Sequence, residues 1–182
     1  MTMNRLIHSA VRRDLARIEG GLRGLQDGDR ARADLIQRTW DNLKSQLTRH
    51  HEGEDTYVWP WLQTLGVDPD LLAAMESEHE ALAAAEVVAR TRGVVDQHLA
   101  HEEGELEPLL VPHVDSPGWK DVEKKLRGSS PVQAGRFFAW VQDGASAEEL
   151  TYLHSVVPGP VLLVLGRGLG RGYSSKIASA WS

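Results

Sequence analysis

Cysteine is absent from the 182-residue chain, which excludes disulfides, iron–sulfur clusters and thiolate catalysis while leaving the compartment open. Positive charge is scarce: 20 lysines and arginines face 26 acids for a net charge of −6, and the basic residues form no run. That balance argues against a nucleic-acid or anionic-membrane partner. Long apolar runs are missing as well. The stretch from Val161 to Leu165 is far too short to cross a bilayer. The N-terminus enters an amphipathic pattern at once instead of a signal-peptide apolar run, so a cytoplasmic protein is expected. The zinc-protease string H-E-x-x-H does not occur. What remains is one domain's worth of chain, 41% hydrophobic and so able to bury a core.

One motif is present twice: His50-x-x-x-Glu54 with Pro60 six residues on, and His98-x-x-x-Glu102 with Pro108 six residues on. A histidine and a carboxylate four apart lie one above the other on a single helix face, offering a metal one nitrogen and one oxygen from a rigid element. Both pairs fall in apolar stripes. The first runs Ile36, Trp40, Leu43, Leu47, His50, Glu54, Val58, Trp61; the second runs Val95, His98, Leu99, Glu102, Leu106, Leu109. A carboxylate in such a seam costs several kcal/mol unless it is paired or binds a cation.

Two further stripes each carry one histidine: His8, Val11, Leu15, Ile18, Leu22, Leu25, and Leu72, Met75, His79, Leu82, Ala89. Punctuation separates four helices. Gly24 to Asp29 divides the first from the second, Gly66 to Pro69 the second from the third, Gly93 the third from the fourth, and Pro112 to Gly118 closes the set. The expected fold is all-α, an up-down-up-down four-helix bundle whose interior receives four imidazoles and two carboxylates at one level. Imidazole and carboxylate donors without thiolate suit iron, manganese or zinc, and paired carboxylates favour iron or manganese. A ferritin-like site needs Glu-x-x-His on two helices, and only Glu76-Ser-Glu-His79 has that spacing.

The order of one His, then His-x-x-x-Glu, then one His, then His-x-x-x-Glu resembles the hemerythrin-like family of non-haem di-iron proteins, bacterial type. The strings HHEGEDTYVWP and HLAHEEGELEP look like its two ligand helices, and the resemblance covers roughly residues 1–114. It implies two non-haem irons, manganese or zinc being less favoured, with His8, His50, His79 and His98 as terminal ligands and Glu54 and Glu102 as bridges. O2, H2O2 or NO would be the ligands, in oxidative or nitrosative stress response or sensing. A catalase-like or NO-reducing enzyme and an iron store or structural metal bundle stay open as alternatives. Oxygen-carrying hemerythrins have a fifth histidine ligand, whereas the third helix here offers only His79.

His51 with Asp55, and His101 with Glu105, form competing pairs one step around each helix. The stripes place them beside the site or on the surface. Tyr57 reads as packing, Glu86 as a solvated acid. His8 and His50 are 42 residues apart, His79 and His98 only 19, so the first hairpin rises about 25–30 Å above the metals and the second about 12 Å. The seam around Leu15, Ile18, Leu22, Ile36 and Trp40 then needs another cover. Residues 115–182 form a helical extension with candidate helices at 119–126, 131–142 and 147–154, whose Phe137, Trp140, Val141 and Leu153 suit that seam better than a dimer partner does. The glycine-rich GPVLLVLGRGLGRGY reads as a flexible tail, and a monomer or homodimer stays open.

Overall fold

The computed structural model describes residues 1–83, 88–128, 130–178 and 181, and its regular elements are all helices, with no strand among the described residues. No single helix there is long and apolar enough to cross a membrane. The chain forms two compact units, Met1–Gln46 with Ser129–Ser182, and Leu47–Gly128.

In the first unit, helix α1 (Met3–Arg23) opens where the Thr2 hydroxyl accepts the Arg5 amide at 3.1 Å, an N-cap, and closes where the Gly24 amide returns to Gly20. Leu6, Val11, Leu15 and Ile18 are buried along it. Burial stops at Gly21. Leu22, expected in the seam, is 45% exposed. Helix α2 (Arg30–Gly53) follows. The chain returns through α8 (Pro131–Gln142), α9 (Ala147–Val156), α10 (Gly159–Leu162) and α11 (Arg171–Lys176). Trp140, Val141 and Leu153 are buried from this side, alongside Ile36 of α2.

Polar groups tie these helices to α1. The Trp140 indole donates to Asp14 at 2.8 Å, and Arg17 bridges Asp14 at 3.3 Å and Asp143 at 2.7 Å. Tyr173 donates to Asp143 at 2.9 Å. The glycine-rich segment is not a flexible tail. A π-helical stretch, Leu163–Leu169, links α10 to α11 and packs on α8. A Cβ on Gly135 would meet Leu169 Cβ at 2.6 Å, and one on Gly170 would meet Ala139 Cβ at 2.7 Å. The glycines serve close backbone approach here, which offsets their poor helix propensity.

The second unit holds the end of α2, then α3 (Trp59–Thr64), α4 (Pro69–Ala83), α5 (Val88–His101), α6 (Glu107–Leu110) and α7 (Pro117–Leu126). Gly93 lies inside α5 and makes no turn; Glu86 falls outside the described residues. Val58, Trp59, Leu62, Leu72, Met75, Leu106 and Val122 form its core. Two π-turns follow α2 and α5, Glu54–Val58 and Glu102–Leu106, with Trp59 N–H bonding the Glu54 carbonyl and Glu107 N–H the Glu102 carbonyl. Each leads into a proline, Pro60 or Pro108. Proline has no N–H for the carbonyl four residues back, so the helix widens to an i+5 bond before it. One extra residue per turn moves the buried stripe along by one. Leu62, not Trp61, is fully buried, and Leu109 is 42% exposed while Glu107 is buried.

Trp140→Phe tests the buried bond in the first unit. Asp14 is 1% exposed, and removing its indole donor should cost about 1–3 kcal/mol in urea unfolding. Burial first of all pushes the Asp14 carboxyl above its ordinary value, with Trp140 and Arg17 opposing. A raised folded-state pKa gives stability that is complete below the unfolded value and lost as pH rises through the folded one. The variant's deficit should therefore grow as pH rises from about 4 towards neutrality.

Candidate metal centre

In the second unit, α2, α4 and α5 each carry imidazoles into a buried cluster. His51, His79 and His98 are 8%, 5% and 0% exposed, and their ligand atoms lie within 4.8 Å of one another. Glu54, His79 and Glu102 form a second such group, again all buried. His50 Nε2 is 3.4 Å from Glu54 Oε1, and His98 Nε2 is 3.7 Å from Glu102 Oε1, as the i,i+4 spacing requires. The sequence candidates His50, Glu54, His79, His98 and Glu102 thus share one unit. His8 is fully buried on α1, in the other.

His79 Nδ1 faces Asp55 Oδ1 at 2.7 Å, and His98 Nδ1 faces Glu78 Oε2 at 2.9 Å. A carboxylate only accepts, so each Nδ1 donates to its carboxylate and each Nε2 is the ring atom left facing the cluster. These two Nε2 atoms are 3.0 Å apart. Ring nitrogens that close need either a shared proton or a metal cation between them. With metal–nitrogen bonds of about 2.1 Å, nitrogens in adjacent positions at a right angle sit about 3.0 Å apart. Two buried atoms have the same need: His51 Nε2 and Glu54 Oε2 lack a hydrogen-bond partner. The residues present fit a metal.

Electrostatics agree with the geometry. Burial, then the neighbouring Glu102 and Asp55, push the Glu54 carboxyl well above its ordinary value. Burial and the adjacent imidazoles hold His51 well below its own, and burial with His98 does the same to His79. Burial thus disfavours the charged form of His51, His79 and Glu54 alike. Glu78 differs: burial opposes ionisation, yet hydrogen bonds from His98 and His101 hold it below the usual carboxylate range.

The competing pairs come apart. Asp55 serves His79 rather than His51, and His51 is buried rather than on the helix surface. His101 bonds Glu78 at 2.8 Å, with Glu105 3.6 Å away at the surface. Tyr57 packs against the core with Lys125 5.8 Å over its ring. Sequence reading missed Glu78, which sits one residue before His79 and is off the seam. It also missed Trp59, stacked on His79 at 6.0 Å; only the π-turn brings it inward.

Residues 4–86 match the family model described as hemerythrin HHE cation binding domain. That stretch includes His8, His50, Glu54 and His79; the second His-x-x-x-Glu lies beyond it, and its assignment rests on His98 and Glu102 standing beside His79 and Glu54. A protein of Latilactobacillus sakei subsp. sakei (strain 23K) named alanine racemase is 29% identical over 134 residues, 72% of this chain. The chain spans 32% of that protein's length, and the name describes that protein. No solved structure matches the chain.

Asp55 and Glu78 orient imidazoles without belonging to the cluster themselves. Asp55→Ala and Glu78→Ala should each weaken divalent-metal affinity roughly 10–100-fold while leaving stoichiometry unchanged, as read by titration of the metal-free protein.

Proposed function

The chain is hemerythrin-like over residues 4–86, and on that premise we propose that it is a four-helix-bundle non-haem di-iron protein that binds small oxidants. The observation that carries this reading is the 3.0 Å approach of His79 Nε2 and His98 Nε2 beside two buried glutamates. His50, His79 and His98 are proposed as terminal ligands and Glu54 and Glu102 as bridges. His8 joins them on the order of the motifs alone. Imidazoles with paired carboxylates and no thiolate favour iron or manganese over zinc, and the hemerythrin-like match favours iron between those two.

An iron pair would supply open coordination positions for O2, H2O2 or NO. The chain's own residues prepare that place. Asp55 and Glu78 set the tautomers of His79 and His98, so that Nε2 of each is the donor atom. Glu54 and Glu102 supply buried carboxyl oxygens that a bound cation would hold ionised. Trp59 and the core beneath it, with Leu62 and Met75 fully buried, keep water from one side of the cluster. The nitrogen-rich balance suits ligand binding or peroxide turnover better than high-valent oxygen activation. A role in oxidative or nitrosative stress response or sensing is the biological setting proposed for that chemistry.

Metal analysis of the purified chain should find about two irons per molecule, and absorption spectra should change on adding H2O2, NO or O2. Glu54→Ala should lose most of the iron and unfold at lower temperature, because a metal bound only by the folded state adds to its stability. Full iron occupancy in that variant would remove the glutamate from the ligand set. A chain free of iron after reconstitution would end the di-iron reading.

A further inference from the structure

We propose that His51 is itself a metal ligand, completing with His79 and His98 a three-imidazole face for one divalent first-row cation. The inference rests on the reading that this unit binds a cation at His79 and His98, and it adds a donor that the twofold His-x-x-x-Glu pattern does not contain.

Three observations converge on His51. Its side chain is more than nine-tenths buried, and its Nε2 has no hydrogen-bond partner. A buried ring nitrogen left in that state is costly, and a cation on its lone pair resolves the cost. Its donor atom lies within 4.8 Å of those of both His79 and His98. The ring arrangement supplies the third observation. Its ring centroid is 4.0 Å from that of His79 and 5.2 Å from that of His98, while the His79 and His98 centroids are 4.6 Å apart. With metal–nitrogen bonds of about 2.1 Å, a ring centroid stands roughly 3.2 Å from the ion, so neighbouring rings at 90–109° are about 4.5–5.2 Å apart. Two of the three separations fall in that range; the third, between His51 and His79, is tighter by about half an ångström, and those rings, stacked at 14°, must splay apart for both in-plane lone pairs to meet one ion.

Packing alone explains the position less well. An imidazole kept only to fill space beside His79 would be served by an apolar side chain, without a buried nitrogen left over. Asp55, the carboxylate four residues on, is already bonded to His79, so it does not meet the need of His51.

The chain's lack of cysteine gives a direct test. In His51→Cys the new thiol is the only one, so a sulfur-to-cobalt charge-transfer band in the near ultraviolet, on titrating the metal-free full chain with Co2+ alone, reports coordination at position 51. We expect that band in His51→Cys and not in Glu52→Cys, whose position is exposed. His51→Ala should bind Co2+ at least about tenfold more weakly than the unaltered chain, and it carries the test if His51→Cys does not fold. No band in a folded His51→Cys, or unchanged affinity in His51→Ala, overturns the proposal. His98→Ala separates the two levels: if it binds Co2+ as tightly as the unaltered chain, the cation reading itself fails, whereas a loss there with no effect at position 51 removes His51 alone.

Discussion

Burying carboxyl groups and imidazoles in one small volume is unfavourable in the absence of positive charge, and the second unit is organised around that constraint. Glu54 and Glu102 are each less than a tenth exposed and stand beside the three most buried histidines of the unit. Burial and neighbouring imidazoles disfavour a second proton on His51 and on His79. The groups are instead held in place from behind by carboxylates nearer the surface, Asp55 at 36% and Glu78 at 25% side-chain exposure. Carboxylates near the surface, imidazoles within and buried acids beside them make an arrangement that suits a cation.

The first unit solves a different problem with different means. Its apolar seam on α1 is covered by helices from the far end of the chain, and the contact is made specific by Asp14, Arg17, Asp143 and Tyr173. Asp14 is nearly inaccessible, so its bonds to Trp140 and Arg17 offset a desolvation cost rather than add a surplus. Such a network specifies which helices pair. The apolar residues around it supply the driving force.

Much of this was legible in the residue pattern. A histidine and a glutamate four apart must share a helix face, so the two motifs were visible from spacing alone, and the C-terminal helices announced themselves by proline and apolar spacing. The misses have identifiable causes. Trp61 and Leu109 were expected inside because the stripe was projected at the α-helical period through Glu54–Val58 and Glu102–Leu106, where the helix is wider. Glycine is ambiguous in sequence. Gly166 and Gly170 read as flexibility but mark close packing on α8, and Gly93 read as a turn but continues a helix. Glu78 and His51 sit one position away from His79 and His50 and so fall outside the stripes. Their contacts depend on where neighbouring helices stand, which no single-helix periodicity contains.

The widened turns carry a consequence for how such a chain can change. Before each π-turn the helix is phased to the cluster; after it, the same helix is phased to the apolar core, with Trp59 and Leu62 following one and Glu107 the other. The surplus residue acts as a gearbox between two angular settings. Side chains beyond it can be exchanged to repack the core without rotating Glu54 or Glu102, whereas losing one residue between Glu54 and Pro60 would swing everything downstream by roughly 100° and set core against cluster.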